Sequence, residues 1–83
     1  MHWVYILKDE AGRHYIGSTS DLNRRLEQHR RGSTQTTRRM RGTLLLVAST
    51  KLQSKYEAQE LERRLKAWKN PQKAVEFLQN HSG

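Results

Sequence analysis

The chain has 83 residues, which is room for one hydrophobic core, so the sequence predicts a single domain over residues 1–83. Lysine and arginine number 16 against 8 aspartate and glutamate, and the net charge of +8 favours a polyanionic partner, nucleic acid first. The sequence has no cysteine, which excludes disulfides and zinc–thiolate sites, and no apolar run of about 20 residues that could span a membrane. We therefore expect a cytoplasmic protein with no signal peptide and no membrane association.

The first two predicted elements are strands joined by a tight turn. The segments HWVYILK (2–8) and RHYIGS (13–18) are rich in β-branched and aromatic residues, and DEAG between them is typical of a turn. Gly12 can take the positive φ of a type I turn closed by a glycine bulge, so we predict that hairpin.

The bulged hairpin decides which side chains share a face of the sheet. Its register predicts Tyr5 opposite Gly17 and Leu7 opposite Tyr15, whereas a plain two-residue loop would place the two tyrosines on opposite faces. One face is then expected to carry Trp3, Tyr5, Leu7, Tyr15 and Gly17, and the other Val4, Ile6 and Ile16.

A first helix is predicted over residues 21–31, with Ser20 as its N-cap and Leu22 and Leu26 on its apolar stripe. Arg25 and His29 lie one turn apart and flank that stripe. Taken alone, they are more simply explained as a histidine at the edge of the core and an arginine laid along the helix. That explanation weakens if the helix packs beside the face that carries the two tyrosines.

The next segment, residues 30–42, is polar and basic and is predicted to be a loop. Residues 24–41 hold seven arginines against one glutamate. A solvated surface would explain the charge, but the arginine fork matches phosphate oxygens, which favours nucleic-acid contacts. The predicted nucleic-acid-binding residues are Gly17, Ser18, Arg24, Arg30, Arg31, Arg38, Arg39, Arg41 and Lys66.

A short apolar run, TLLLVAST (43–50), predicts a buried third strand. Ser54 and Glu57 match a capping box, and the helix behind them runs to about Trp68.

Asn70 and Pro71 predict the N-cap and first position of a last helix over 71–80. The predicted order is β-β-α-β-α-α. The last helix is expected to bury Val75 together with Phe77 or Leu78.

Tyr5 and Tyr15 are the candidate groups for water activation. A free phenol has a pKa near ~10, so roughly 0.1% is ionised at pH 7, and a tyrosine acting as a base needs help from Arg25 or a metal. Without that help, the tyrosine can only orient the water molecule. Gly17, opposite Tyr5, is expected to leave space for a substrate phosphate to approach the backbone.

A hard metal ion such as Mg²⁺ requires carboxylate ligands, and the second helix offers Glu57, Glu60 and Glu62. Glu57 has a capping role, and geometry alone does not choose between the other two. Each glutamate on its own is more simply read as a solvated surface residue. No cluster of carboxylates is present in the sequence, which disfavours a two-metal site.

These motifs together resemble the GIY-YIG nuclease superfamily, in particular its small stand-alone bacterial members. The resemblance lies in WVY (3–5), an intact YIG (15–17), the following GSTSDLNRRLEQH with Arg25 and His29, and EAQELERRLKAW in the second helix. Related domains are the N-terminal incision domain of nucleotide excision repair and the catalytic domains of GIY-YIG homing endonucleases. The leading glycine of the first motif is replaced here by Trp3. Ser18 stands where the repair domains carry lysine.

The resemblance implies an α+β fold with a three-stranded antiparallel sheet flanked by helices. It also implies a metal-dependent endonuclease acting on DNA, with RNA as an open alternative, in repair or recombination. Glu62, four residues after Ala58, would bind Mg²⁺ or Mn²⁺. The implied catalytic residues are Tyr5, Tyr15, Arg25, His29 and Glu62, with the choice between the tyrosines left open.

Two other functions fit parts of the sequence. A non-catalytic nucleic-acid-binding module could keep this fold, and a basic scaffold could dock an acidic protein. Many relatives use a separate domain to find their target, so a separate targeting protein is a further expected partner.

Overall fold

The computed structural model describes residues 1–31 and 44–81, apart from the side chain of His81. The predicted α+β class and the order β-β-α-β-α-α are confirmed. The elements are β1 (His2–Lys8), β2 (His14–Thr19), α1 (Leu22–Arg30), β3 (Leu45–Leu52), α2 (Lys55–Ala67) and α3 (Pro71–His81). Most of the predicted basic loop, with Arg38, Arg39 and Arg41, lies outside the described residues.

The sheet has the order β2-β1-β3, and β1 pairs antiparallel with both neighbours. Its central strand is buried from Val4 to Leu7, so both faces of β1 are covered. None of the helices within the described ranges is long and apolar enough to cross a membrane.

The β1–β2 hairpin has the predicted glycine-dependent turn. Gly12 has a φ of +86°, and its N–H donates to the carbonyl oxygen of Asp9 at 3.1 Å. The Asp9 N–H donates to the carbonyl oxygen of Arg13 at 3.0 Å, which closes the turn. The pairs Tyr5–Gly17 and Leu7–Tyr15 form as predicted, so both tyrosines share one face of the sheet.

The opposite face carries the hydrophobic core. Val4 and Ile6 are fully buried against residues of α2 and α3, namely Ala58, Leu65, Ala74 and Leu78. Fully burying an aliphatic side chain of this size contributes about 1.5–3 kcal/mol, so this layer is the main source of stability for the sheet. On α3, Ala74 and Leu78 are fully buried, while Val75 and Phe77 are partly buried.

Two of the three predicted N-caps are confirmed. The Ser54 Oγ accepts the Glu57 N–H at 3.2 Å, and the Asn70 Oδ1 accepts the Lys73 N–H at 3.1 Å.

The predicted N-cap of α1, Ser20, is wrong. Asp21 caps α1 through its Oδ1, which accepts the Arg24 N–H at 3.1 Å. β2 continues to Thr19, whose Oγ1 accepts the Asp21 N–H at 3.1 Å, and this contact moves the start of the helix by one residue.

The prediction of a buried third strand is also wrong in part. β3 lies at the edge of the sheet, and Leu45 and Leu46 at its start are 59% and 41% exposed. Within the described residues, the contacts of β3 with the hydrophobic core begin at Val47. An apolar run does not distinguish an edge strand from a central one, because both pack one face on a core.

Candidate active site

Three rings meet on the sheet face opposite the hydrophobic core. The Tyr5 hydroxyl lies 3.0 Å from Nε2 of His29, and this buried contact is a hydrogen bond. The ring centroids of Tyr5 and Tyr15 are 6.2 Å apart, and that of His29 lies 5.8 Å from Tyr5 and 5.3 Å from Tyr15. We call Tyr5, Tyr15 and His29 the three-ring cluster.

Three different elements supply this cluster. Tyr5 is in the middle of β1, Tyr15 is on the neighbouring strand β2, and His29 is in the last turn of α1. His29 is the buried residue of α1, so the helix packs its histidine onto the tyrosine face. The core-edge explanation of His29 is therefore incomplete, since the imidazole is buried beside two phenol rings.

Gly17 makes room for the Tyr5 phenol. A Cβ at Gly17 would lie 2.6 Å from the Tyr5 hydroxyl oxygen and 2.8 Å from Cζ of the same ring. The space above Gly17 was expected to admit a substrate phosphate to the backbone. That reason for the glycine is wrong, because the Tyr5 ring fills the space.

The environment of Tyr5 strongly favours its neutral form. Burial is the largest cause that raises the pKa of the Tyr5 phenol far above its usual range. The charge and hydrogen bond of Tyr15 and the negative charge of Glu62 raise this pKa further, while the positive charge of Arg25 lowers it. Arg25 and Glu62 therefore both lie within electrostatic reach of the Tyr5 hydroxyl.

His29 is held in its neutral form at pH 7. Burial lowers the pKa of the His29 imidazole below its ordinary value, and the nearby Arg25 guanidinium lowers it further. A neutral imidazole has one ring nitrogen that can accept a proton, so His29 is able to receive one from Tyr5.

Arg25 lines a polar cavity of about 180 Å³ between the end of β2 and α1. The other lining residues are Thr19, Ser20, Asp21, Arg24 and Gln28. The charges of two arginines outnumber that of the one lining carboxylate, Asp21, which also caps α1, so the cavity has a net positive charge. A phosphate group fits this charge.

Glu62 is distinguished from the other glutamates of α2 by its position. Its side chain is 22% exposed, and Oε2 accepts a hydrogen bond from the Lys66 ammonium at 2.7 Å. Glu57 accepts the Gln53 N–H at the start of the helix, and Glu60 pairs with Arg63. Of the three, Glu62 is the glutamate whose charge acts on Tyr5.

Among the described residues, the donor groups fit a single hydrated metal ion better than a pair of ions. Within residues 1–31 and 44–81, no group of three or more histidine, cysteine, aspartate or glutamate side chains could hold a metal. Mg²⁺ is commonly bound through one or two carboxylates, with water and substrate phosphate completing its coordination. Glu62 is placed to be the single carboxylate ligand of such an ion.

The other predicted nucleic-acid contacts spread away from the cluster. Arg24 and Arg30 are exposed on α1, and Ser18 is partly buried on β2. Arg31 pairs with Glu27 at 3.0 Å, an exposed contact that a phosphate could replace.

A second opening, which the sequence did not predict, lies beside Tyr15. A cavity of about 320 Å³ lies between β2 and the α2–α3 junction, and it includes Lys66 and Lys69. Lys69 has a φ of +52°, a left-handed conformation that is uncommon outside glycine, asparagine and aspartate. The Lys-Asn-Pro sequence that ends α2 was the available signal for this helix junction.

Comparison with known proteins identifies the family. A family model described as the GIY-YIG catalytic domain matches residues 1–74. The UPF0213 protein of Streptococcus pneumoniae serotype 4 is 40% identical over 76 residues, covering 92% of this chain and 76% of that protein. The UPF0213 protein VNG_2274C of Halobacterium salinarum is 34% identical over 77 residues, covering 93% of this chain and 100% of that protein.

A solved structure shares the fold. The solution NMR structure of the UPF0213 protein BH0048 from Bacillus halodurans superposes with a TM-score of 0.55 at 38% sequence identity, covering 87% of this chain and 77% of that one. The matched residues 1–74 include β1, β2, α1 and α2, which carry the three-ring cluster, Arg25 and Glu62. The chain therefore belongs to the GIY-YIG catalytic domain family, a family of nuclease-type domains.

Proposed function

We propose that this protein is a divalent-metal-dependent endonuclease that hydrolyses phosphodiester bonds in DNA. The observation that carries the proposal is the buried hydrogen bond between Tyr5 and His29, with the charges of Arg25 and Glu62 acting on the same phenol. A pure binding surface needs the arginines but not two phenols, an imidazole and a carboxylate gathered from four elements. The pathway served, RNA as an alternative substrate and a cytoplasmic location stay predictions.

Tyr15 is the phenol that meets the attacking water. Tyr5 is 1% exposed, whereas Tyr15 is partly exposed and lines the cavity at the edge of β2. Water can therefore approach the Tyr15 hydroxyl more easily than that of Tyr5. In this proposal Tyr15 accepts a hydrogen bond from the water and orients it towards phosphorus.

Tyr5 and His29 carry the proton away from the site. With His29 protonated on Nδ1, its Nε2 accepts the Tyr5 O–H, and the Tyr5 oxygen can accept the Tyr15 O–H. A proton taken from the attacking water passes to the Tyr15 oxygen while the proton of Tyr15 moves to Tyr5 and that of Tyr5 to His29. No isolated phenolate forms, which avoids the high pKa that burial imposes on Tyr5.

Arg25 neutralises charge on the phosphoryl group. Its guanidinium lines the polar cavity next to the cluster and can donate two parallel hydrogen bonds to phosphate oxygens. Glu62 would hold the Mg²⁺ or Mn²⁺ ion, which supplies charge neutralisation for the leaving 3′ oxygen. Cleavage would leave a 5′ phosphate.

The test is nicking of supercoiled plasmid by the purified protein in the presence and absence of Mg²⁺. We expect nicking that requires the metal and is lost in Glu62→Gln and in Arg25→Ala. Glu60→Gln is the matched control, because Glu60 lies on the same helix, pairs with Arg63 and is not one of the charges that shift the pKa of Tyr5. It should nick like the wild type.

Two results of the nicking assay would contradict parts of this proposal. Metal-dependent nicking by Glu62→Gln at the wild-type rate would remove Glu62 from the mechanism. Tight DNA binding by the wild type without any nicking, with Mg²⁺ and Mn²⁺ both supplied, would favour the non-catalytic binding module.

A further inference from the structure

Trp3 extends the tyrosine face beyond the catalytic cluster. It lies two residues before Tyr5 on β1, so its side chain points to the same face, roughly 7 Å along the strand. The register places it opposite Thr19 of β2 and Lys51 of β3. Trp3 is partly buried, and among the described residues it is not one of those that pack against the hydrophobic core.

Trp68, the other tryptophan of the chain, has different surroundings from Trp3. Trp68 packs against the core and meets Phe77 edge to face, with ring centroids 5.4 Å apart. Trp68 also has a cation on its ring, the Lys73 ammonium at 4.9 Å from the centroid. Among the described residues, what distinguishes Trp3 is its place outside the core cluster.

A cation accompanies Trp3 on its open side. The Lys51 ammonium lies 5.6 Å from the centroid of the Trp3 ring, and Lys51 is exposed. A flexible lysine on an aromatic face can move aside at small cost, since exposed cation–π contacts contribute about 0.5–1 kcal/mol. The pair therefore offers a flat π surface with a positive charge beside it.

This surface is continuous with the proposed phosphate site. Thr19, the cross-strand partner of Trp3, lines the polar cavity that contains Arg24 and Arg25. A phosphate bound at Arg25 would have its neighbouring nucleotide directed over this part of the sheet. An aromatic plane next to a phosphate site is the arrangement by which proteins hold single-stranded nucleic acid.

We propose that Trp3 stacks on an unpaired base beside the phosphate held at Arg25, while Lys51 contacts the adjacent phosphate. This inference rests on the proposed nuclease function and names its substrate class, DNA with unpaired nucleotides at the cleavage site. In an intact duplex both faces of a base are covered by its stacking neighbours. Only an unpaired or splayed base can offer a face to Trp3.

The test measures binding without divalent metal, so that cleavage plays no part. The probes are a fluorescent oligothymidylate, a sugar–phosphate oligomer of the same length without bases, and a duplex. Stacking of one base contributes about 1–3 kcal/mol, so the wild type should bind the oligothymidylate about 5- to 150-fold more tightly than the baseless oligomer.

Substitutions at Trp3 separate stacking from folding. Trp3→Leu keeps an apolar side chain on the strand but has no π face, and it should bind both single-stranded probes with equal affinity. Trp3→Phe should retain much of the preference. Lys51→Gln should weaken binding to both probes alike, because it removes a phosphate contact. Trp68→Phe is the control tryptophan substitution and should keep the full preference.

The outcomes distinguish this inference from the proposed function. If Trp3→Leu is folded by circular dichroism and still prefers the oligothymidylate like the wild type, the stacking role of Trp3 is wrong and the nuclease proposal stands. If the wild type binds none of the three probes, the nucleic-acid function itself fails, and the inference fails with it. Tighter binding of the duplex than of the oligothymidylate would also overturn the inference.

Discussion

At the residue scale, the position of the Tyr5 phenol depends on Gly17. A Cβ at this position would lie under 3.0 Å from two atoms of a buried ring, so Gly17→Ala must displace Tyr5. Overpacking of this kind costs about 1–3 kcal/mol, and we expect DNA cleavage to fall more steeply than stability. The measurements are the thermal midpoint and the single-turnover cleavage rate.

Gly12→Ala is the control for this prediction. Gly12 has a φ of +86°, but no atom of the described residues lies within 4 Å of an added Cβ. The substitution should cost about 1–2 kcal/mol of backbone strain and leave the cleavage rate unchanged once the protein is folded. Equal losses of cleavage rate in the two alanine variants would contradict the role assigned to Gly17.

The buried imidazole should make stability depend on pH below neutrality. Burial lowers the pKa of His29 in the folded state, so the unfolded chain binds the proton more readily. In the unfolded chain the pKa of His29 is about 6.5. The protein should therefore lose stability as the pH falls below this value, and the loss should continue until the pH passes the lower pKa of His29 in the folded protein. Urea unfolding between neutral and acidic pH measures this loss.

His29→Gln should reduce the slope of stability against pH in that window. His14→Gln, on β2, is the matched histidine substitution with which this slope is compared. A slope in His29→Gln equal to that of the wild type would show that His29 does not titrate as its buried position implies. Cleavage by the wild type should also decline on acidification, because a protonated His29 cannot accept a proton from Tyr5.

At the element scale, the N-cap of α2 contributes to stability, while the proposed catalytic residue Glu62 lies further along the same helix. The Ser54 Oγ caps the first turn, while Glu62 lies two turns further along the helix. Ser54→Ala should cost about 1 kcal/mol, equivalent to about 4–8 °C in the thermal midpoint of a domain of this size. Cleavage well below the midpoint should be unchanged, and a large loss would mean that α2 is not rigid enough to hold Glu62 without its cap.

The sequence predicted the elements well where a local signal was unambiguous. Gly12 fixed the hairpin register, and Ser54 and Asn70 fixed the starts of two helices. The start of α1 was missed by one residue because Ser20 and Asp21 are both good N-caps, and only the Thr19 contact decides between them. The exposure of Leu45 and Leu46 was missed because the place of a strand in a sheet is a tertiary property.

The sequence predicted which residues form the candidate site, but not how their side chains are arranged. The shared face of Tyr5 and Tyr15 follows from the hairpin register. The hydrogen bond from Tyr5 to His29 depends on how α1 packs on the sheet, which the helical periodicity of Leu22 and Leu26 does not specify. The tight fit of the ring above Gly17 is likewise a packing contact that appears only in three dimensions.

At the scale of the whole molecule, the net charge of +8 should make DNA binding strongly dependent on salt. If about six phosphates are neutralised, the slope of log K against log salt should be roughly −5 on duplex and roughly −4 on single strands. Titrations at several salt concentrations measure both slopes. A flat response would reject a surface that follows the phosphate backbone.

The most direct test of the three-ring cluster is the single-turnover cleavage rate of Tyr15→Phe, measured with Mg²⁺ on single-stranded DNA. The substitution removes one oxygen atom, and a lost proton-transfer group should slow cleavage about 100- to 10,000-fold with little change in stability. Tyr56→Phe is the matched control, because Tyr56 is 75% exposed on α2. This variant should cleave at the wild-type rate. Cleavage by Tyr15→Phe within about twofold of the Tyr56→Phe rate would contradict the catalytic role of the cluster.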